Sequence, residues 1–286
     1  MLHRTRVAPM SPDEYCQQKA AQSGSSFYYS FLFLPEDRRR AITALYAFCR
    51  EVDDAVDEAR EPSVASATLE WWRAELDRLF AGAPQHPVTR ALAPFVARFG
   101  LRRERLEEII EGMALDLAQV RYASFAALRR YCHLVAGVVG VLAAGIFGYR
   151  DPRTLEYAER LGTAFQLTNI IRDVGEDARR NRIYIPLDEL ERFAVPAADI
   201  LNARHTDAFA RLMAFQADRA ERHYDEALAL LAPVDRRSQR PGLVMAAIYR
   251  ALLAEIRDDG FHVLERKVSL TPLRKLWIAW KTWAKA

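Results

Sequence analysis

Residues 46–57 read YAFCREVDDAVD and residues 166–177 read QLTNIIRDVGED, and these two stretches decide the fold. Each ends in two aspartates spaced four residues apart: Asp53 with Asp57, and Asp173 with Asp177. A helix places such residues on one face, one turn apart. Two carboxylates at that spacing repel each other and weaken the helix unless a cation lies between them. The two pairs therefore predict two helices whose acidic faces share a site for divalent cations.

The aspartates continue longer polar stripes on both predicted helices. Positions 46, 50, 53 and 57 fall within about 40° of one direction on an ideal helix, and the second stretch follows a related spacing. The stripes consist of Tyr46, Arg50, Asp53 and Asp57, and of Gln166, Asn169, Asp173 and Asp177. Because the remaining positions are apolar, both helices are predicted to be buried, with their stripes lining an internal cavity. Magnesium suits such a site, since it takes oxygen ligands and completes its shell with water and substrate phosphates.

The composition is that of a folded globular protein. Of the 286 residues, 51% are hydrophobic, which allows a large core. The net charge of +3 argues against nucleic acid as the main partner. Three scattered cysteines without CxxC spacing predict reduced thiols in a cytoplasmic protein, not a disulfide framework or a zinc site. The N-terminus has no apolar signal segment, so we expect no export.

Helix-start and helix-stop residues recur along the chain, whereas strand-like alternation is essentially absent. Ser11 and Pro12 followed by Glu14 resemble a capping box, and Gly82 and Gly100 fit helix ends. The predicted helices cover residues 12–22, 36–58, 64–81, 87–99, 102–120, 125–148, 152–178, 207–232, 239–264 and 272–284. We therefore predict an all-α protein with residues 1–286 in a single domain. Its core covers about residues 11–266, and residues 267–286 form a basic amphipathic C-terminal helix.

The predicted helix over 125–148 has one face with few side chains. Its uncharged run, 134–149, contains 16 residues and four glycines. A bilayer span needs roughly 20 apolar residues, so a buried helix is predicted instead. Small residues recur every fourth position: Ala136, Gly140, Ala144 and Gly148. They indicate either close helix packing or space for a long apolar ligand, since a glycine inside a helix is otherwise costly.

Two basic segments suggest further contacts. Arg179, Arg180 and Arg182 follow the second aspartate pair and are suited to bind diphosphate oxygens, although such a run is often a solvated loop. The C-terminal sequence LTPLRKLWIAWKTWAKA, residues 270–286, alternates tryptophans with basic residues. This pattern favours a helix at a bilayer surface, and the alternative is a helix that caps the bundle.

With YAFCREVDD, QLTNIIRDVGED and RIYIP (182–186), the chain resembles the trans-isoprenyl diphosphate synthases of the squalene/phytoene synthase family from about Tyr15 to Arg266. The resemblance implies an all-α prenyl synthase bundle around a central cavity. It implies that magnesium, as two or three ions bound with diphosphate, is held by Asp53, Asp57, Asn169, Asp173 and Asp177. Catalytic roles are implied for the four aspartates, Arg50 and Tyr131. Substrate contacts are implied for Tyr46, Arg50, Gln166, Arg172, Arg182, Tyr184 and Tyr249.

The segment SGSSFYYSFLFLP, residues 23–35, matches a phosphate-binding segment of that family. The resemblance implies substrate contacts for Ser23, Ser25, Ser26, Phe27 and Phe31. Many family members have a lysine or arginine where this chain has Ser25, so one cationic contact is missing or is supplied by the arginines at 179–182.

The amino-acid sequences of these motifs are most similar to those of bacterial presqualene diphosphate synthases of hopanoid biosynthesis. This implies head-to-head condensation of two farnesyl diphosphates, with diphosphate release and no need for NADPH. Phytoene synthase acting on geranylgeranyl diphosphate, or squalene or dehydrosqualene synthase, is the alternative within the family. A terpene cyclase and a non-catalytic membrane-associated scaffold are alternatives outside it. The expected location is the cytoplasm, at the inner membrane face, where the enzyme that uses the product is a possible partner.

Overall fold

The computed structural model describes residues 10–22, 30–59 and 61–285, and within them the protein consists of helices and loops without a β-strand. The helices are α1 (Pro12–Gln22), α2 (Glu36–Asp57), α3 (Pro62–Phe80), α4 (Pro87–Phe99), α5 (Arg103–Ala118), α6 (Phe125–Phe147, with a π turn over His133–Gly137), α7 (Arg153–Arg179), α8 (Leu187–Arg192), α9 (Ala197–Leu201), α10 (Asp207–Leu230), α11 (Arg240–Asp258) and α12 (Pro272–Lys285). The predicted all-α class is confirmed.

The helix ends follow the capping residues identified in the sequence. The Ser11 amide donates to Glu14 Oε2 at 2.8 Å, and the Glu14 amide donates to Ser11 Oγ at 3.3 Å, which completes the predicted capping box. Gly82 and Gly100 adopt the left-handed conformation just after α3 and α4, with φ of 79° and 62°. Gly148 also has a positive φ, 85°, directly after α6, so this helix ends one residue earlier than predicted and Gly148 does not belong to its face.

The predicted helices also differ from the observed ones at the end of α11 and in number. The helix predicted over 239–264 ends at Asp258, because Gly260 and Phe261 both adopt positive φ. The helices α8 and α9 were not predicted. They contain only six and five residues, too few for a periodic pattern to show, and each begins directly after a proline.

Two hydrophobic clusters form the core. One is built from α2, α3, α4 and α5, and the other mainly from α7, α10 and α11. The helix α6 belongs to both: Val138 and Ile146 pack in the first cluster, and Leu128 and Ala144 in the second. This position places α6 between the two helices that carry the aspartates.

Small residues bring α6 and α7 into close contact. A Cβ atom at Gly140 would lie 2.2 Å from the Ala158 carbonyl oxygen, and one at Gly162 would lie 2.3 Å from the Ala136 carbonyl oxygen. The close-packing interpretation is therefore confirmed. Ala136, Gly140 and Ala144 also line the cavity described below, so the same face leaves open space as well.

By length and composition, α6 could cross a membrane, and it is the single such helix found in the described residues. Half of its apolar window is buried inside the protein. This packing agrees with the buried helix predicted around residues 134–149.

Candidate active site

A cavity of about 700 Å³ is lined by α2, α5, α6, α7 and α11, by residues 267–270 and by Lys275. Along both aspartate helices, the lining changes from apolar to charged toward the C-terminal end. On α2 it runs from Ile42 to Asp57, and on α7 from Tyr157 to Arg180. The apolar stretch of α7, up to Phe165, is about 12 Å long at 1.5 Å per residue. The cavity therefore has a charged region and a long apolar region.

The charged ends of α2 and α7 are joined directly. Arg180 Nη1 donates to Asp57 Oδ2 at 2.7 Å, and Arg182 Nη1 donates to Asp57 Oδ1 at 2.9 Å. Arg180 lines the cavity, whereas Arg179 does not. Both aspartate pairs line this one cavity, so the predicted convergence of the two stripes is confirmed.

Basic side chains accompany three of the four aspartates. Arg50 Nη1 lies 2.6 Å from Asp53 Oδ2, and Asp57 holds the two arginines just described. Asp173 accepts from Arg172 Nε at 2.8 Å and lies 3.2 Å from Lys267 Nζ. Asp177 forms no ion pair within residues 10–22, 30–59 and 61–285. The repulsion expected from the sequence is thus neutralised on α2 and only partly on α7.

The pKa values of the aspartates depend on burial as well as on this ion pairing. Burial raises the pKa of Asp53 to about 6, although Arg50 opposes the shift. Burial, and next the charge of Asp173, raise the pKa of Asp177 to about 7. Burial also acts on Asp173, but the hydrogen bond and charge of Arg172 outweigh it and lower that pKa. In Asp53 and Asp177, burial first and neighbouring carboxylates second disfavour the ionised form, and a bound cation would relieve that cost.

The residues at the charged region fit a divalent cation. Asn169 lines the cavity, and its buried Oδ1 has no hydrogen-bond partner among the described residues, so one acceptor in the cavity wall is unused. In the part of the chain that the structure describes, no three His, Cys, Asp or Glu side chains are close enough to hold a metal alone. This suits magnesium, which usually takes one or two carboxylates and fills its shell with water and phosphate oxygens.

Comparison with known proteins decides the family. The sequence profile described as squalene/phytoene synthase matches residues 20–274. The chain belongs to the squalene/phytoene synthase family.

Related sequences and structures cover nearly the whole chain. The 15-cis-phytoene synthase of Synechococcus elongatus is 36% identical over 275 residues, which is 92% of this chain and 89% of that protein. The phytoene synthase of Arthrospira platensis is 36% identical over 289 residues, covering 96% and 93%. Among solved structures, the squalene synthase HpnC from Alicyclobacillus acidocaldarius has a TM-score of 0.79 at 34% identity, covering 87% and 94% of the two chains. A dehydrosqualene synthase in complex with ligand has a TM-score of 0.85 at 27% identity, covering 96% of each.

Membership of the squalene/phytoene synthase family makes this chain a prenyltransferase-type enzyme of isoprenoid biosynthesis. The family binds prenyl diphosphates and generally uses a divalent metal such as Mg²⁺.

Most side chains that the family resemblance singled out line the cavity. They are Phe31, Tyr46, Arg50, Asp53, Asp57, Tyr131, Gln166, Asn169, Arg172, Asp173, Asp177 and Tyr249. Ser23, Ser25, Ser26 and Phe27 lie outside the described residues. The functions assigned to these side chains stay predictions.

Arg182 and Tyr184 do not line the cavity and lie one layer behind it. The Tyr184 hydroxyl donates to Asp116 Oδ1 at 2.5 Å, and its ring stacks on Tyr131 with centroids 5.2 Å apart. Arg182 Nη1 lies 3.0 Å from Asp116 Oδ2 in addition to its bond with Asp57. In this structure both residues contact other site residues and not the cavity itself.

Asp116 is the main site residue that the sequence analysis missed. It is a buried carboxylate on α5 that holds Arg182 and Tyr184 at once, and burial raises its pKa against the effects of both partners. A single aspartate near the end of an ordinary amphipathic helix gives no signal in the sequence. Lys267 and Lys275, which also line the cavity, were missed because they follow the predicted core and are distant from both motifs.

Proposed function

We propose that this protein condenses two farnesyl diphosphates head to head and releases presqualene diphosphate and diphosphate. The observation that carries the proposal is the meeting of two aspartate pairs at the charged region of a long apolar cavity. Such a cavity suits a ligand with a diphosphate head and a prenyl tail. The family's activity on prenyl diphosphates supports the same conclusion.

In this proposal the charged region binds both diphosphates. Two or three magnesium ions would be held by the cavity ligands Asp53, Asp57, Asn169, Asp173 and Asp177. The chemistry that bound magnesium supplies is neutralisation of the charge that develops on the departing diphosphate. Arg50, Arg172 and Arg180 line the same region and donate charge-assisted hydrogen bonds to phosphate oxygens. Lys275 adds a cation there, which offsets the serine at position 25.

The apolar region protects the reacting carbon. When the carbon–oxygen bond of one substrate breaks, the electron pair leaves with the diphosphate and an allylic cation remains. The apolar wall excludes water, which would otherwise quench the cation. The rings of Phe31, Tyr46 and Phe165 line the cavity and stabilise positive charge by about 1–2 kcal/mol each when desolvated.

The cation then adds to the inner double bond of the second substrate, and loss of a proton closes the cyclopropane ring. Burial raises the pKa of Tyr131 well above its usual value, so its hydroxyl stays protonated. We therefore assign the proton to the departing diphosphate and a hydrogen-bonding role to Tyr131.

A second candidate is phytoene synthesis from two geranylgeranyl diphosphates. It is favoured by the phytoene synthases that are 36% identical over most of the chain. The squalene synthase and dehydrosqualene synthase structures favour a farnesyl substrate. A non-catalytic scaffold is disfavoured, because a scaffold has no need of four cavity aspartates accompanied by Arg50.

Incubation of the purified protein with magnesium and radiolabelled substrate tests the proposal. Farnesyl diphosphate should yield presqualene diphosphate, and added NADPH should leave that product unchanged. Phytoene from geranylgeranyl diphosphate, with no farnesyl product, would replace the farnesyl assignment with the second candidate. Squalene formed on addition of NADPH would show that presqualene diphosphate is not the end point. No product from either substrate would contradict a prenyl-coupling activity.

We also propose that residues 1–286 form one domain that acts in the cytoplasm at the inner membrane face and passes its product to the enzyme that uses it. The shared cavity between the two hydrophobic clusters supports one domain. The free thiols of Cys16, Cys49 and Cys132 support a reducing compartment.

A further inference from the structure

One side of α12 is fixed against the rest of the protein. Ala279 is fully buried, and Ile278 and Trp283 pack against the hydrophobic core. Arg240 lies over the Trp283 ring, 5.5 Å from its centroid. These contacts determine which side of α12 faces outward, and they agree with the capping function considered from the sequence.

The outward side of α12 is apolar. The exposed fractions are 79% for Leu273, 41% for Leu276, 58% for Trp277 and 57% for Trp280. Their spacing of three, four and seven residues places them within an arc of about 100° on the helix. The two tryptophan rings stack with centroids 5.3 Å apart. A contiguous apolar face of this kind marks an interaction surface, since single exposed hydrophobic residues are common but clusters are not.

The charge on α12 is entirely positive. Its sequence contains four basic residues and no acidic one: Arg274, Lys275, Lys281 and Lys285. Arg274 pairs with Glu255, and Lys275 lines the cavity. Lys281 and Lys285 are exposed, and neither pairs with a carboxylate of the described chain. They lie on one flank of the apolar face at helical spacing.

The inner side of α12 adjoins the substrate cavity. Residues 267–270, which lead into α12, line the cavity, as does Lys275 on the helix itself. Phe33 is 44% exposed, and its ring centroid lies 5.2 Å from that of Trp283. The nearby Phe31 lines the cavity. A partner bound to the outward face of α12 is therefore separated from the cavity by this one helix.

We propose that the outward face of α12 docks on the surface of a bilayer that contains anionic lipid. Tryptophans at the headgroup level, leucines below them and flanking lysines are the features of a helix lying in a membrane interface. The lysines match the negative headgroups, and the tryptophans match the boundary with the acyl chains. The surface would hold α12, and with it the cavity on the inner side of the helix, at the phase in which long prenyl chains dissolve. The docking is independent of which prenyl diphosphate the protein uses.

Cosedimentation with sucrose-loaded vesicles tests this surface. The full-length protein should bind mixed phosphatidylcholine/phosphatidylglycerol vesicles, bind pure phosphatidylcholine vesicles at least about tenfold more weakly, and lose affinity as salt increases. The double variant W277A/W280A should bind the mixed vesicles at least about tenfold more weakly. The matched control W71A removes a tryptophan that is 42% exposed on α3 and should bind like the unmodified protein.

A second pair of variants isolates the charge. K281E/K285E should weaken binding to the mixed vesicles at least about tenfold. Each basic residue near an anionic membrane surface contributes about 1 kcal/mol to binding. The control R129E/R211E makes the same change of charge at exposed arginines on α6 and α10 and should have little effect.

Three results would overturn the proposal. The first is no binding to the mixed vesicles, and the second is equal loss of binding in W71A and W277A/W280A. The third is dimer formation in solution that the W277A/W280A substitutions abolish. In that case a second copy of the chain would cover the outward face of α12. Product formation from detergent-dispersed substrate separates the two proposals, since lost docking leaves that activity in place and lost catalysis leaves vesicle binding in place.

Discussion

The aspartate pair on α2 and the pair on α7 have the same spacing but different surroundings. On α2, Asp53 and Asp57 are both paired with arginines. On α7, Asp173 is paired, whereas Asp177 has no cationic partner in the described structure and has a pKa of about 7. Equal sequence motifs thus differ in ion pairing: both α2 aspartates have an arginine partner, whereas one of the two α7 aspartates has none. The ionised form of Asp177 therefore depends more strongly on a bound cation than that of the other three aspartates.

The largest expected effect is loss of turnover in Asp53→Ala and in Asp173→Ala. Each removes an oxygen ligand at the charged region, so activity should fall by at least about a hundredfold while the fold is kept. Product formation and circular dichroism measure the two quantities. The control Asp188→Ala removes an exposed carboxylate outside the cavity and should stay fully active. Near-normal activity in either folded aspartate variant would contradict the metal site on that helix.

Asp116→Ala should disturb the contacts of Arg182 and Tyr184 at the same time. It leaves Arg182 and the Tyr184 hydroxyl without their buried partner, so we expect the free energy of unfolding to drop by about 3 kcal/mol and turnover to decrease. Chemical denaturation and kinetics measure these changes. Asp116→Asn keeps an acceptor for Tyr184 and should recover part of the stability. If Asp116→Ala were as stable and active as the unmodified protein, Asp116 would have no function in placing Arg182.

Gly175→Ala should disturb only the α7 pair. A Cβ atom there would lie 2.4 Å from the Leu264 carbonyl oxygen and 2.6 Å from that of Val263, so the segment leading to Lys267 must shift. We expect a loss of about 1–3 kcal/mol in stability, together with reduced turnover. The control Gly145→Ala places a Cβ atom no closer than 3.4 Å to its neighbours and should be tolerated. Thermal denaturation of the two variants distinguishes a clash from a general effect of alanine.

The smallest effect concerns stability in Asp177→Asn. The folded-state pKa of Asp177 is raised above the ordinary value of 3.8, so ionising it costs folding free energy as pH rises from about 4 to about 7. In metal-free protein with a chelator, Asp177→Asn should therefore gain stability over the unmodified protein across that pH range. Asp57→Asn should lose stability instead, because Arg180 and Arg182 lose their partner. If the free energy of unfolding depended on pH equally in Asp177→Asn and in the unmodified protein, burial would not raise the pKa of Asp177.

The sequence predicted the polar walls of the cavity because their residues recur at helical spacing within one helix. The stripes on α2 and α7 follow helical spacing, so Tyr46, Arg50 and Asn169 could be assigned to a face without knowing the fold. The local sequence pattern could not place a side chain whose contacts are made by a distant segment of the chain. Tyr184 and Arg182 looked like substrate ligands from their motif, yet they lie behind the cavity because Asp116, nearly 70 residues earlier in the chain, holds them there.

By itself, the sequence determined the all-α class, the two acidic helix faces and the amphipathic C-terminal helix, because each depends on periodicity over a few turns. Tertiary structure alone decided which cations meet which aspartates, that Lys267 and Lys275 enter the cavity, and which side of α12 remains exposed. The reason is physical: side-chain spacing along a helix is set by backbone geometry, whereas ion pairing and burial depend on which helices pack together.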